Sequence, residues 1–237
     1  MKSSINSRIT IYRETIVDQL VRILQNRILN GELKPKTRIS EAGVAKEFGI
    51  SRVPAREALQ RLEDMKLIKK NHLGREVTEL SPEEFKETYE LKNVIEAYGA
   101  MHGAMKAQAD EIAKIRSTVN LMEKFTSEND LNSLRYINYE FHDLLVSCCR
   151  NKLLIDTYQS LVKQIRWATS LSLELPMRPK ESFREHKEIF EAFINKNAKK
   201  VRVLLEKHSN ENMKRVLSQM EKKWNSHQQS IKKSVNK

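Results

Sequence analysis

The sequence predicts a mainly α-helical fold, in which a small N-terminal unit with one β-hairpin precedes an all-α six-helix bundle. Glycine and proline, which interrupt helices, number only 6 and 5 in 237 residues. Beyond residue 82 the apolar residues recur at helical spacing, and only Pro176 and Pro179 interrupt that pattern. The pattern predicts helices at about 82–107, 110–127, 130–149, 151–174, 179–195 and 197–224.

The N-terminal unit is predicted to begin with a helix over 10–30, followed by a brief extended segment at 38–39. Ser40 is a suitable N-cap for a short helix over 41–48, because its hydroxyl can accept a hydrogen bond from a free backbone N–H. Gly49 is expected to end that helix, since glycine readily adopts the left-handed backbone found there.

A second helix and a hairpin complete this unit. Ser51 can cap a helix over 52–65, and residues 67–70 and 75–78 can form two short strands. Residues 71–74 supply the turn between the strands. A helix, a glycine-containing turn, a second helix and a hairpin are the outline of a winged helix-turn-helix.

The helix over 52–65 separates its residues by side. The side predicted to face the core carries Ala55, Leu59 and Leu62. Arg52, Arg56 and Gln60 are spaced by four and therefore line another side. Long polar donors in such a row can reach phosphates and base edges in the major groove of DNA. The alternative is an ordinary solvated helix face.

The charge distribution favours a polyanionic partner. The formal net charge is +12, and residues 1–80 hold 16 basic side chains against 10 acidic ones. The last 19 residues hold five lysines against one glutamate, so the excess lies at the two ends of the chain. Basic surfaces attract nucleic acid because each neutralised phosphate releases counterions, although a basic surface can also be merely solvated.

The cysteines and the hydropathy pattern indicate a cytoplasmic protein. Cys148 and Cys149 are adjacent, and neighbouring cysteines rarely meet the geometry of a relaxed disulfide. The sequence shows no signal-peptide core and no apolar run of about 18 residues. We therefore expect no disulfide framework and no membrane partner.

We place the domain boundary at Ser81. A capping serine, proline at the first helical position and acidic residues near the positive end of the helix dipole together mark a helix start. The predicted domains are a DNA-binding unit at 1–80, a helical domain at 81–225 and a basic tail at 226–237. The end of the chain from about residue 225 is expected to be frayed.

The run Ser51-Arg52-Val53-Pro54-Ala55-Arg56-Glu57-Ala58-Leu59, within a match over 15–80, resembles the DNA-binding half of GntR-family transcription regulators. The resemblance implies that DNA is contacted by Ser51, Arg52 and Arg56. It also implies that the wing turn around His72 and Gly74 enters the minor groove. One departure is Lys36, where the family usually has glycine. It lies in a turn, and we expect it to alter the loop more than the function.

The helical half is similar to the effector domain of the FadR subfamily, called FCD, and six helices place it nearer the VanR-like branch. The similarity covers about 130 residues in matching order and spacing. It runs through Tyr89-Glu90-Leu91-Lys92, Glu96, Asn138-Tyr139-Glu140-Phe141-His142, Asn151-Lys152-Leu153-Leu154, Glu185-His186 and His208. This resemblance implies an effector-binding and dimerisation domain.

Three histidines on three predicted helices are candidate ligands for a divalent metal. Asn138 and His142 are four apart and share a helix face, while His186 and His208 lie on two later helices. In many FCD domains this arrangement binds metal, with aspartate at the position of Asn138, and an amide is the weaker ligand. Imidazole ligands favour Zn²⁺ or Ni²⁺ over Mg²⁺. Any one of these histidines alone is more often a hydrogen-bonded structural residue.

The resemblance also implies a small carboxylate effector that binds beside basic side chains. Lys92 stands where the family usually has arginine, and Arg166 is a second candidate. An ammonium can pair with a carboxylate but lacks the two-pronged donor geometry of a guanidinium. Each of these two charges could instead be a solvated surface charge.

We expect a ligand-responsive repressor that binds double-stranded operator DNA as a homodimer, because symmetric dimers read near-palindromic sites. One alternative keeps the DNA-binding role and treats the helical domain as a ligand-free dimerisation module. A second alternative is a metal-dependent hydrolase, in which a three-histidine site activates water. Hydrolysis would also require a poised acid or base, and Glu140 is offset from the Asn138 and His142 face. We therefore do not expect an enzyme.

Overall fold

The computed structural model describes residues 14–29, 31–170, 175 and 177–235. The chain divides into two compact units, Met1–Thr78 and Glu79–Lys237. The first unit ends at Thr78, two residues before the boundary that the sequence predicted after residue 80. Among the described residues no helix is both long enough and apolar enough to cross a membrane.

The first unit is a winged helix-turn-helix, as predicted. Its elements are α1 (Ile16–Leu29), β1 (Arg38–Ile39), α2 (Glu41–Phe48), α3 (Arg52–Asp64), β2 (Ile68–Asn71) and β3 (Gly74–Val77). The three strands form one antiparallel sheet in the order β1-β3-β2. Ala55, Leu59 and Leu62 of α3 are each 0% exposed and pack in the core of this unit, which confirms the predicted inner side of that helix.

Helix α1 begins later than the predicted range of 10–30. Residues 10–13 and 30 lie outside the described residues, whereas Thr15 is described and is not helical. The Thr15 hydroxyl accepts a hydrogen bond from Asp18 N (3.1 Å), and the Asp18 carboxylate accepts one from Thr15 N (3.2 Å). This reciprocal cap satisfies free donors at the helix start and explains why α1 begins at Ile16.

The predicted caps of α2 are present, whereas the predicted side-chain cap of α3 is not. Ser40 Oγ accepts a hydrogen bond from Gly43 N at 3.0 Å, and Gly49 has a left-handed backbone with φ of 65°. Both features are as predicted. Ser51 stands at the N-cap of α3 with an extended backbone, but its exposed side chain makes no capping hydrogen bond within the described structure. The predicted side-chain cap at Ser51 is therefore wrong, and its hydroxyl remains available to another partner.

Lys36 has a left-handed backbone with φ of 65°, which explains why glycine suits this turn. Its N–H donates to Val77 O at 2.9 Å, so the turn is tied to β3.

We expect Lys36→Gly to raise the free energy of unfolding by roughly 0.5–1 kcal/mol, because a non-glycine residue is strained in this region. Urea denaturation checks this. Lys34→Gly, which is not at a positive φ, should lower stability, and equal losses in both variants would contradict the prediction.

The second unit contains the six predicted helices. They are α4 (Pro82–Lys106), α5 (Ala109–Ser127), α6 (Leu131–Ser147), α7 (Lys152–Ser170), α8 (Arg178–Ile194) and α9 (Ala198–Val235). Residues 171–174 and Pro176 lie outside the described residues. The expected fraying from residue 225 is wrong as far as Val235, because α9 continues through a segment without glycine or proline.

Helix α4 starts with the predicted cap and lies very close to α6. Ser81 Oγ accepts from Glu84 N (3.2 Å), and the Glu84 carboxylate accepts from Ser81 N (2.8 Å). Further along α4, a Cβ atom at Gly103 would collide with the backbone carbonyl oxygen of Leu145 and crowd Cys148 of the following turn. The close approach of the two helices therefore requires glycine at this position.

Candidate DNA interface and histidine site

The outer side of α3 presents the polar row that the sequence predicted. Ser51, Arg52, Arg56 and Gln60 are all exposed. Within the described residues neither Arg52 nor Arg56 has an ion-pair partner, whereas Gln60 Nε2 donates to Asp64 Oδ1 at 3.3 Å. Two unpaired guanidinium groups on one helix face are suited to phosphates and guanine edges.

The wing places its predicted contact residues at its tip. His72 and Leu73 form the loop between β2 and β3, and Gly74 begins β3. All three are exposed, and Leu73 N donates to Asn71 Oδ1 at 2.8 Å, which braces the turn. The loop is therefore short, held by its own residues and open at its outer surface.

Arg75 anchors the base of the wing to the helices. Its Nη1 donates to Glu41 Oε1 of α2 at 2.8 Å, and its Nε lies 3.2 Å from Glu63 Oε1 of α3. Burial opposes the charged form, but hydrogen bonds to these two acids raise the pKa of Arg75. No local pattern in the sequence predicts this contact, because Glu41 and Arg75 are far apart in the chain.

Three helices of the second unit bring three buried imidazoles together. His142 of α6, His186 of α8 and His208 of α9 each offer a ligand atom, and these atoms lie within 4.8 Å of one another. His186 Nε2 is 3.0 Å from His142 Nε2. The structure therefore assembles the three predicted metal-ligand histidines, which we call the histidine triad.

Hydrogen-bond acceptors fix the orientation of two of these rings. His186 Nδ1 donates to the Ser182 carbonyl oxygen at 2.5 Å, and His208 Nδ1 donates to Glu185 Oε2 at 2.6 Å. Burial lowers the pKa of His186 well below its ordinary value and that of His208 to about 4. Both rings are therefore neutral at pH 7, and each keeps the Nε2 lone pair free for a metal.

Glu96 of α4 supports the third histidine. Its Oε1 lies 2.8 Å from His142 Nδ1, at a poorer angle than that of a hydrogen bond, and accepts from Tyr158 OH at 3.1 Å. Its Oε2 accepts from Lys92 Nζ at 2.6 Å and from Ser209 Oγ at 2.9 Å. Burial opposes ionisation, but the charge of Lys92 above all holds the pKa of Glu96 well below its usual range.

The donor set fits a cation at the histidine triad. Because the Ser182 carbonyl oxygen accepts from His186 Nδ1, the Nε2 atom of His186 presents a lone pair toward His142. The Nε2 atoms of His142 and His186 face each other at 3.0 Å, so one ion could bind both when His142 carries its proton on Nδ1, beside Glu96 Oε1. Neutral imidazoles whose other nitrogen is held by an acceptor are the usual ligands of zinc and similar ions.

Arg178 is a buried cation beside the histidine triad that the sequence patterns did not predict. It is 2% exposed, and its Nη1 and Nη2 donate to the two oxygens of Glu185 at 2.8 Å each. Its Nε has no hydrogen-bond partner among the described residues. Burial opposes the carboxylate form, but hydrogen bonds from His208 and Arg178 hold the pKa of Glu185 well below its usual range.

A cavity of about 40 Å³ adjoins the histidine triad. Its polar lining includes Lys92, Glu96, Arg135, Asn138, His142, Arg178 and His208. Lys92 and Asn138 are thus brought to the site, and Lys92 is buried rather than a solvated surface charge. Arg166 is not among the described residues that line the cavity. Its guanidinium lies over the Tyr139 ring, 4.5 Å from the centroid, and its carbonyl oxygen accepts from Tyr139 OH.

Known proteins share both halves of this architecture. The family described as bacterial regulatory proteins, gntR family, matches residues 16–73, and the FCD domain matches residues 87–211. Over 182 residues the chain is 31% identical to the HTH-type transcriptional regulator YdhC of Bacillus subtilis (strain 168), covering 76% of this chain and 81% of that protein. It is 26% identical over 186 residues to the gluconate operon transcriptional repressor of Bacillus licheniformis, with 78% and 76% covered.

The solved structure of E. coli McbR/YncC shows the same fold. Its TM-score is 0.77 at 17% sequence identity, and the match covers 86% of this chain and 98% of that one. The relatives with assigned roles are transcription regulators and not enzymes, which removes the hydrolase alternative. The chain therefore belongs to the GntR family of bacterial regulatory proteins, as a DNA-binding transcription regulator whose helical half is an FCD domain.

Proposed function

We propose that this regulator is a homodimeric repressor whose grip on operator DNA is controlled by a small carboxylate held beside a divalent metal ion. The observation that carries the proposal is the convergence of three buried imidazoles next to a cavity lined by cationic side chains. Relatives named as repressors support the sign of regulation. Because the partner is operator DNA, the proposal also makes the protein cytoplasmic.

DNA contact is assigned to α3 and the wing. The proposed contacts in the major groove are Ser51, Arg52, Arg56 and Gln60. Val53 lies between Arg52 and Arg56 in the sequence of α3 and is 62% exposed. It adds an apolar surface suited to a thymine methyl group. His72 and Gly74 at the wing tip are proposed to reach the adjacent minor groove.

A second copy of the chain is proposed to cover an apolar stripe on α4. The stripe consists of Leu91, Val94, Tyr98, Met101 and Met105. These residues alternate spacings of three and four, which is the pattern of a helix seam that packs on an equivalent seam. All but Met101 are at least half exposed in the single chain. A two-fold partner would bury this stripe on both copies at once.

We expect Val94→Glu to convert the dimer to a monomer, because each symmetric contact would bury a carboxylate without a partner. Val94 is 69% exposed in the single chain, so the substitution leaves the fold itself unstrained. Sedimentation equilibrium measures the change in mass. Val203→Glu is the matched control, since Val203 is 62% exposed on α9 outside the stripe. A dimer of normal affinity in the Val94 variant would contradict the assigned seam.

The metal is proposed to be Zn²⁺ or Ni²⁺ held by His142, His186 and His208, with the Asn138 amide as a weak further ligand. When bound, the ion supplies a positive charge and an open position to which a carboxylate oxygen is attracted. Glu185 keeps the His208 ring oriented by a hydrogen bond, Glu96 lies 2.8 Å from His142 Nδ1, and the burial of all three rings keeps bulk water away from them.

The effector is proposed to place one carboxylate in the cavity beside Lys92 and Arg178. A cavity of about 40 Å³ holds only a few water-sized groups, since one water needs about 10–15 Å³. It therefore accommodates the carboxylate end of a ligand and not a bulky molecule in this conformation. Arg166 lies outside the cavity, and its predicted role in effector binding is not carried forward.

Operator binding in the presence of carboxylates tests the proposal. Half-sites are first selected from random duplexes, and fluorescence anisotropy then gives Kd with and without acetate, succinate and gluconate. In zinc-loaded protein at least one acid should change Kd by about fivefold or more, the range of ordinary allosteric coupling. Protein stripped by EDTA should lose that response. If DNA affinity ignores every acid in both forms, the helical half is a ligand-free dimerisation module instead.

A further inference from the structure

A second and larger cavity lies between α8 and α9. Its volume is about 360 Å³, which is enough for a small organic molecule. Its lining is almost entirely charged, and Leu204 is the only apolar residue in it among the described residues. We call this cavity the α8–α9 cleft. The proposed metal and effector chemistry uses only Glu185 and His208 of its lining.

Two of the four acidic residues of the cleft, Glu185 and Glu211, are neutralised within the protein. Glu185 is held by both Nη atoms of Arg178 at 2.8 Å, and Glu181 lies 3.9 Å from Arg178. Glu211 accepts from Lys214 at 3.0 Å. Of the acids that line the cleft, Glu188 alone has no ion-pair partner within the described residues.

The basic residues that line the cleft have no acidic partners among the described residues. Arg184 on α8 and Lys207 and Arg215 on α9 have no ion-pair partner within 4.0 Å in the described part of the chain. Moreover, Arg215 Nη1 is buried and donates to no described acceptor. A buried guanidinium nitrogen without an acceptor is costly, and a bound anion would satisfy it. Among its described residues the cleft therefore offers three cations without an ion-pair partner against the charges of two acids, Glu181 and Glu188.

We propose that the α8–α9 cleft binds a small molecule with two anionic groups. Arg184 and Lys207 provide cations on the two helices, and Arg215 lies two helical turns beyond Lys207 on α9. Two turns correspond to roughly 12 Å along the helix, so one anionic group cannot satisfy both ends of the row. A short dicarboxylate could engage cations at both ends of such a row, because long arginine and lysine side chains can bend toward one ligand.

This site is distinct from the cavity beside the histidine triad, although the two share a wall. Glu185 and His208 line the cleft, and His208 also lines the smaller cavity. A ligand in the cleft would therefore contact the acceptor and the ring that complete the triad. The inference does not rest on the proposed metal or effector, since every cation in it lies outside the triad.

Calorimetric titration of full-length, metal-free protein with succinate tests the inference. We expect succinate to bind at least about tenfold more tightly than acetate, because only the dicarboxylate engages both ends of the row. The double variant Arg184→Gln/Arg215→Gln should bind succinate at least about tenfold more weakly. Arg202→Gln is the control, since Arg202 lies on α9 outside the cleft and is paired with Glu206 at 2.7 Å.

The outcomes separate this inference from the proposed function. The double variant should retain metal, and His142→Ala should lose metal while it retains succinate binding. Either result supports a cleft that is independent of the triad. The inference is overturned if wild-type protein binds neither succinate nor pyrophosphate in the millimolar range. It is also overturned if the double variant and Arg202→Gln lose affinity equally.

Discussion

Replacing both Arg52 and Arg56 with glutamine is expected to weaken specific operator binding by at least about 100-fold. Each exposed guanidinium that pairs with a base edge contributes about 1–3 kcal/mol, and a dimer presents each residue twice. Neither group has an ion-pair partner in the described structure, so the change acts only on the interaction with DNA. Fluorescence anisotropy on the selected half-site gives Kd, and the dependence of Kd on salt concentration shows how many phosphates the two guanidinium groups neutralise.

Arg61→Gln is the matched control for this loss. It removes one positive charge from the same helix, against two in the double variant, and Arg61 is engaged with Asp18 and Glu57 at 2.8 Å each. Because exposed ion pairs contribute little to stability, its loss should leave both the fold and the DNA affinity nearly unchanged. If the Arg61 variant and the Arg52/Arg56 double variant lose DNA affinity equally, α3 does not lie in the major groove as assigned.

Removal of one triad imidazole is expected to abolish metal binding. Protein purified without chelator should contain about one zinc or nickel per chain, whereas His142→Ala should contain almost none, because two imidazoles and an amide remain. The melting temperature should also fall, since a metal at a hundred times its Kd stabilises the fold by about 2.7 kcal/mol. Elemental analysis and thermal denaturation provide the two measurements.

Glu185→Gln is a subtler test of the same site. The substitution preserves size but replaces the ionised acceptor of His208 Nδ1, so the ring is held less firmly. Changes to such supporting residues commonly weaken metal affinity by about 10–100-fold. Glu191→Gln, which changes an exposed residue of the same helix, should leave metal affinity unaltered. Full metal occupancy in His142→Ala, or identical affinities in the two glutamine variants, would contradict the metal assignment.

Local signals predicted the first unit and the helices of the second. Ser40, Gly49 and Ser81 occupy the cap positions expected of their chemistry, since caps depend on residues within one turn. The row of Arg52 and Arg56 could also be predicted from the sequence, because helical periodicity alone places residues four apart on one face. The three histidines required the family resemblance, since no local pattern shows that three separate helices meet.

The surroundings of the triad could not be predicted from local patterns. Arg178 adjoins Pro179 at the start of α8, a position that normally faces solvent, yet it is buried against Glu185 two turns later. Lys92 is buried because Glu96, one turn further along α4, neutralises it. Such burial depends on which helices pack against the residue. Composition and residue spacing do not reveal which helices those are.

Gly103 has only a hydrogen atom as its side chain, and this sets the spacing between α4 and α6. Glu96 stands seven residues before Gly103 on α4, and His142 stands three residues before Leu145 on α6, so both pairs meet along one line of contact. Even a methyl group at position 103 would force these helices apart and draw the Glu96 carboxylate away from the imidazole. The smallest possible enlargement of a residue that is not itself a ligand would therefore impair the proposed metal centre.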